Sequence, residues 1–205
     1  MARFKLTKGE LKKTRDALRQ YYRYLPTLQL KKQQLQAEIL RALAAVEEKK
    51  KDEAARSREA QVWAGLLSDP SVDIRPWIRA ARVTSASRNI AGVDIPVFEK
   101  AEFALAKYDL FITPLWVDAG IEALRVIASL RKEIGILEEG VAILKRELRT
   151  TTQRVNLFEK VKIPEAEEAI RVIKIYIGDQ MTNAVGRSKM AKRKIEKAEY
   201  AEAAG

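Results

Sequence analysis

The chain has 205 residues, of which 33% are charged, with Lys+Arg 39 against Asp+Glu 28 for a net charge of +11, and it contains neither Cys nor His. Disulfides, Cys/His zinc sites, thiol nucleophiles and His-based catalytic dyads or triads are therefore excluded. At 47% hydrophobic it is too apolar to be disordered, yet its longest uncharged stretch, Ala60–Ser68, has nine residues against the roughly 20 of a membrane helix, and Met1–Leu11 lacks the apolar run of a secretory signal. The expectation is a soluble protein on the cytoplasmic side.

The positive charge is uneven. Residues 1–60 carry 16 basic and 8 acidic groups, and residues 61–120 carry 6 and 7. Residues 121–160 carry 8 and 6, and residues 161–205 carry 9 and 7. Within the last stretch, Arg187–Lys197 holds six basic groups and a single acid, Glu196. Two basic ends around a neutral middle suit an anionic partner, such as nucleic acid, a membrane surface or an acidic protein cavity, or else a solvated helix face.

Residues 7–60 read as helix. Leu11, Leu18, Leu25, Ile39 and Val46 share one heptad position, interrupted by Lys32, and Thr14, Tyr21, Leu28, Leu35 and Ala42 follow three residues later. This is an a/d seam over about five heptads. Thr7 and Glu10 have capping-box spacing. Pro26 lacks a backbone donor and clashes with the preceding turn, so it is expected to kink the helix or split it.

The middle differs in kind. Residues 68–118 hold four of the six prolines and two of the three tryptophans. Arg79–Thr84 and Val93–Ala106, rich in β-branched and aromatic residues, flank a turn-rich Ser85–Gly92, and this predicts a β-hairpin. Trp77, Phe98, Phe103, Phe111 and Trp116 are expected to pack a small head.

Residues 121–160 repeat the heptad pattern. Ile127, Ile134, Val141, Leu148 and Val155 are seven apart, with Leu130, Leu137, Leu144, Thr151 and Phe158 three residues after each. Gly135 and Gly140 lie inside this helix, each costing ~1 kcal/mol relative to Ala, and are read as points of close backbone approach. Pro164 fits a first helical position, with Glu165, Glu167 and Glu168 suited to the positive end of a new helix dipole. A last helix carries Ile170, Ile173, Ile177, Met181 and Val185 at helical spacing and runs to about Tyr200.

The fold expected is all-α dominated. The N- and C-terminal helices form a long antiparallel two-helix coiled coil, and a small middle head contains the hairpin. The division is 1–62 for the first shaft helix, 63–120 for the head, and 121–205 for the second shaft helix, interrupted near Pro164 and ending in a basic tail. About 40–50 residues at 1.5 Å each make a shaft of about 60–75 Å.

Little chemistry is written into this chain. It has no GxxxxGK[ST] and no GxGxxG. The adjacent pairs Glu47/Glu48 and Glu138/Glu139 point about 100° apart on a helix and form no shared acid/base site. No catalytic residue, metal ligand set or cofactor site is predicted. The basic tail lacks interleaved aromatics for stacking on bases, so nucleic acid is not the expected partner. A basic coiled-coil protein that binds nucleic acid or acts as a structural tether is the alternative reading.

Two segments together resemble a known family. Leu6-Thr7-Lys8-Gly9-Glu10-Leu11, with Tyr24-Leu25-Pro26-Thr27-Leu28-Gln29-Leu30-Lys31-Lys32, resembles the N-terminal helix of the D subunit of V/A-type rotary ATPases, most like its bacterial branch. Thr152–Glu159, followed by Ile163-Pro164, is similar to the arginine-valine-asparagine-x-x-glutamate stretch of that family and the isoleucine-proline after it. Ile173-Lys174-Ile175-Tyr176-Ile177 and the basic run Arg187–Ile195 also match, whereas Leu25-Pro26 stands where the family commonly has a glycine-histidine or similar pair.

The resemblance implies a non-catalytic central rotor shaft. Its partners would be the catalytic A and regulatory B subunits of an ATP-hydrolysing or ATP-making hexamer, the F subunit, and the funnel-like C (or d) subunit on a membrane ring that moves protons or sodium ions. The complex would be peripheral to the membrane, with no direct insertion of this chain. The seam would be Leu11, Leu18, Leu25, Leu28, Leu35, Ile39 and Val46 against Ile127, Leu130, Ile134, Leu137, Val141, Leu144, Leu148, Val155 and Phe158. Arg187, Lys189, Lys192, Arg193 and Lys194 would line the bearing in the hexamer. Trp77, Phe98, Phe103, Phe111 and Trp116 would meet the F subunit or the funnel.

Overall fold

A computed structural model describes residues 5–68, 72–109 and 113–203. Helix α1 (Lys8–Gln61) is followed by a 3-10 turn (Ala64–Ser68) and a short α2 (Arg75–Ile78). Strands β1 (Ala80–Ile90) and β2 (Val93–Phe103) come next, then α3 (Trp116–Leu157), a π turn (Phe158–Lys162) and α4 (Ile163–Ala203). Two long helical stretches around a central hairpin are thus the architecture of the chain. It divides into two compact units, Leu30–Thr152 on one hand and Met1–Gln29 with Gln153–Gly205 on the other.

In the unit Leu30–Thr152, α1 and α3 run antiparallel. Lys31 pairs with Glu147 at 2.8 Å, Lys49 with Glu133 at 2.9 Å and Glu53 with Arg131 at 2.8 Å, so one partner number rises as the other falls. Between these rungs the apolar seam closes. Leu35, Ile39 and Leu144 are buried together, with Leu148 against them. The hairpin adds to this core through Ala91, Val93 and Ile95. Where β2 crosses α3, Gly140 is buried, and a Cβ there would sit 3.8 Å from both the Ile95 Cβ and the Pro96 carbonyl. At that distance a Cβ would make ordinary van der Waals contact, so neither Gly140, packed beneath β2, nor Gly135, exposed with open space around it, is a point of close backbone approach.

The hairpin is longer than the sequence suggests. Ser85–Asn89, expected to be turn, is strand, because each of its residues pairs across the hairpin with Asp94–Phe98 of β2. Only Ala91 and Gly92 form the loop, between Ile90 and Val93. Both have positive φ, 52° and 77°, which is the backbone of the two-residue turn that matches strand twist. Asn89 supports it: its Oδ1 accepts from the Gly92 N–H at 3.1 Å and its Nδ2 donates to Asp94 at 2.7 Å.

A second core cluster of the same unit joins Ile74, Val117 and Ile121 with Trp77, Trp116, Tyr108 and Leu124 around them. Trp77 and Tyr108 stack at 5.2 Å between ring centroids. The expected aromatic head is therefore not one cluster. Trp77 and Trp116 join this group, Phe103 lies under the Arg125 guanidinium at 5.6 Å, and Phe98 belongs to neither core cluster. Phe111 lies outside the described residues.

In the unit of Met1–Gln29 with Gln153–Gly205, Thr7 caps α1, its Oγ1 accepting from the Glu10 N–H at 3.2 Å. Only this half of the capping box forms, because the Thr7 N–H donates to the Lys5 carbonyl instead. α1 passes through Pro26 without splitting. The proline is exposed, so water can serve the Tyr22 carbonyl that it leaves without a helical donor. Near Pro164 the helix is not restarted but widened. The Ile163 N–H donates to the Phe158 carbonyl, five residues back. No free helix N-terminus exists there, and the acidic cluster finds side-chain partners instead. Glu165 pairs with Lys162, Glu168 with Arg171, and Glu167 accepts from the Tyr22 hydroxyl at 2.7 Å.

Candidate functional site

The surfaces with functional potential are the helix seams, the hairpin side of the Leu30–Thr152 unit, and the far end of α4. Each seam residue singled out in the sequence has a definite place. In the unit Leu30–Thr152, Leu35, Ile39, Val46, Ile127, Val141 and Leu144 are buried, and Leu130, Ile134, Leu137 and Leu148 are half-buried. In the other unit Val155 is buried, and Leu11, Leu18, Leu25, Leu28 and Phe158 are half-buried. Tyr21 stacks on Phe158 at 5.4 Å. A heptad seam needs this gradient from buried knobs to half-covered flanks, since a two-stranded coil covers only one face of each helix.

The charged flanks add little energy but set alignment. Arg131 donates to Glu53 at 2.8 Å and Ser57 donates to it at 3.1 Å, and the arginine contact holds the Glu53 carboxyl below its usual range. A carboxyl whose folded pKa is depressed contributes stability above its unfolded pKa, and that contribution is lost as pH falls through the folded value. Glu53→Gln is therefore expected to flatten the acid limb of the stability profile and to cost at most about 1 kcal/mol at pH 7. Thermal melts from pH 7 down through the carboxylate range check this; an acid limb as steep as that of the parent chain would refute it.

The hairpin side carries a groove of about 330 Å³ lined by Ala42, Ala45, Ile95, Leu137, Gly140 and Leu144, with Arg88 and Arg41 among its lining residues. Nearer the start of α3, Arg125 ties the loops together. It donates to the carbonyls of Trp77 at 2.9 Å and Ala104 at 2.6 Å while lying over Phe103. Nothing in its sequence context distinguishes Arg125 from other helical arginines; only the loop carbonyls around it do. Among the described residues no group of His, Cys, Asp and Glu is arranged to hold a metal ion, and no helix is long and apolar enough to cross a membrane.

The far end of α4 is a surface that the heptads only partly signal. Its inner face is buried through Ile163, Ala166, Ala169, Ile170 and Ile173. The same stripe continues through Ile177, half-buried, to Met181 at 58% exposure and Ile195 at 59%, with the small Ala184, Ser188 and Ala191 on the same side. Arg187, Lys189, Lys192, Arg193 and Lys194 are all exposed around it. An apolar and small-residue stripe set among cations is the kind of surface that enters a cavity in another protein.

Known relatives bear on this arrangement. Residues 10–193 match the family model described as the D subunit of ATP synthase. The chain is 45% identical over 197 residues to the D subunit of the V-type ATP synthase of Borreliella burgdorferi, covering 96% of this chain and 97% of that one. It is 36% identical to the protein of the same name from Chlamydia caviae, covering 95% of each, and 34% identical to that from Chlamydia pneumoniae, covering 94% and 93%.

Proposed function

The chain belongs to the D-subunit family of ATP synthases, and from that premise we propose that it is the central rotor shaft of a V/A-type rotary ATPase. It has no catalysis of its own. It couples ATP hydrolysis or synthesis in a hexamer of A and B subunits to proton or sodium movement through a membrane ring, from a peripheral position on the cytoplasmic side. The observation that carries this reading is the bare end of α4, where the stripe that is buried at Ile173 runs on uncovered among cations. In the proposal this end is the bearing. Arg187, Lys189, Lys192, Arg193 and Lys194 face the bore of the hexamer, and the small Ala184, Gly186 and Ala191 let the helix turn in a crowded space.

The paired helices supply the stiffness that torque transmission needs. Two apolar seams, aligned by ion pairs, resist sliding better than a single helix. The three-part division into 1–62, 63–120 and 121–205 follows: two shaft strands and a middle that meets the F subunit or the funnel-like C (or d) subunit through the region of Trp77, Phe98, Phe103, Phe111 and Trp116.

The chain contains no Cys, so Lys192→Cys places its only thiol in the proposed bearing. A tagged copy of this variant is assembled in source cells, and the complex is purified at moderate salt. ATPase subunits are expected to co-purify. Linking the introduced thiol to the hexamer through a cleavable reagent should arrest ATP turnover, and cleavage should restore it. Turnover that continues with the cross-link in place would sink the rotor reading. Recovery of nucleic acid alone, lost as salt rises through counterion release, would establish the tether alternative.

A further inference from the structure

The β-hairpin has two outer edges, and they are not alike. Among the described residues its sheet holds β1 and β2 alone, so each strand has one side without a strand partner. Ile90 and Val93 bond each other across the two-residue loop Ala91-Gly92. Antiparallel pairs then alternate between bonded and non-bonded. The backbone groups of Asn89, Ser87 and Ser85, opposite Asp94, Pro96 and Phe98, therefore point away from the partner strand.

On β2 this outer side is closed. Pro96 offers no donor there, and its carbonyl lies 3.8 Å from where a Cβ on Gly140 of α3 would sit. The register shift between Thr84 and Ser85 passes over Glu99 and interrupts the edge again. On β1 the outer side is open. Ser85–Asn89 are all exposed, and Val83–Ser87 contains neither charge nor proline. Proteins ordinarily blunt a long edge strand, as β2 is blunted here. A bare edge is a template for an added strand.

Charge says which strand fits. β1 carries Arg82 and Arg88 and no acid. Arg82 stands opposite Glu102. Arg88 shares the face of Ile95, its cross-strand partner, and lines the groove of about 330 Å³ together with Arg41. Glu38, the acid among the groove's lining residues, is bound to Arg41 at 2.5 Å. We propose that the outer edge of β1 receives an extended acidic segment of another protein as a third strand. Its backbone would bond Ser85, Ser87 and Asn89, and a carboxylate would stand beside Arg88 on the groove side. A second copy of this chain fits less well, because its β1 would bring Arg82 and Arg88 to an edge that already carries them. The site uses no residue of the proposed bearing and does not rest on the rotor reading.

Residue-resolved backbone hydrogen exchange on the full-length chain tests it, with a capped peptide of alternating glutamate and valine as the probe. At about 1 mM peptide, the scale of a weak contact, the amides of Ser85, Ser87 and Asn89 are expected to slow roughly tenfold. Those of Ala86 and Arg88, already bonded to β2, should change less. Ser87→Pro removes only an outward donor, so it should melt with the parent chain and lose the slowing. A peptide with lysine in place of glutamate should give none, and Arg88→Glu should reverse that preference. No slowing by the acidic peptide, equal slowing by the lysine peptide, or slowing that survives in a folded Ser87→Pro would overturn the proposal. Should Ser87→Pro melt early, the acidic peptide N-methylated throughout replaces it, and slowing by that peptide would overturn the proposal as well. Protection of the same three amides that rises with protein concentration alone would assign the edge to a second copy and overturn it too.

Discussion

Leu144→Asp is expected to unfold the unit Leu30–Thr152 at temperatures where the parent chain is folded. Leu144 is 1% exposed and touches the heart of the seam, Leu35 and Ile39, and the hairpin residues packed on it. Truncating such a leucine to Ala costs about 3–5 kcal/mol through lost transfer energy and the cavity left behind. The aspartate adds a carboxyl with no partner in an apolar site, which must either protonate or draw in water. The sum is comparable to the whole stability of an ordinary domain, roughly 5–15 kcal/mol. Leu137→Asp alone should cost less, because Leu137 is only half-buried. Leu40→Asp is the control: Leu40 is 69% exposed, and surface changes stay within about 0.5 kcal/mol. Helicity and cooperative melting retained in Leu144→Asp would sink the seam as the basis of the fold. Limited proteolysis gives a second readout, since Ala91, Val93 and Ile95 rest on the same core and the hairpin should become cleavable with its loss.

How much of this was legible beforehand depends on the kind of signal. Heptads report which side chains alternate inward, so Leu35, Ile39, Val46, Val141 and Leu144 stand out in the bare sequence and are buried in the structure. The hairpin is legible as a pair of strands, but its bounds are not. Propensity reads Ser85–Asn89 as turn, whereas cross-strand pairing extends β1 to Ile90. Prolines were legible as perturbations and not as outcomes. Pro26 suggests a split, yet exposure lets the helix run on. Pro164 suggests a new helix, yet a π turn carries the ladder across. Both outcomes depend on what surrounds the freed carbonyl, which is tertiary information. Gly135 and Gly140 make the same point: identical residues five apart, one open and one beneath β2.

Along α4 a single stripe meets two different surroundings. Over Ile163–Ile173 its stripe is spent on its own chain; beyond Ile177 the same spacing faces outward. Because α4 is one continuous helix from Ile163 to Ala203, displacement at its far end is carried into the packed part by the backbone itself. That geometry makes the packed part sensitive to small changes in volume.

Ala169→Leu is accordingly expected to destabilise the unit of Met1–Gln29 with Gln153–Gly205 by about 1–3 kcal/mol. Ala169 is 0% exposed and Ala166 is 7% exposed. Both are buried in the unit where Tyr22 reaches Glu167 at 2.7 Å and Tyr21 stacks on Phe158, so a leucine at 169 must push its surroundings aside. Leucine is the better helix former of ordinary residues after alanine, so intrinsic propensity predicts almost no change and any loss is due to overpacking. Met181→Leu, at a position 58% exposed on the same helix, should be neutral. Thermal melts of the two variants decide the matter. The emission of Tyr21 and Tyr22, neither of which is near a Trp in sequence, is overlaid by three tryptophans, so hydrogen exchange across Lys12–Arg19 is the better local readout and should accelerate only in Ala169→Leu. If Ala169→Leu melts with the parent chain and leaves that exchange untouched, the packing around Ala169 has room for a larger side chain.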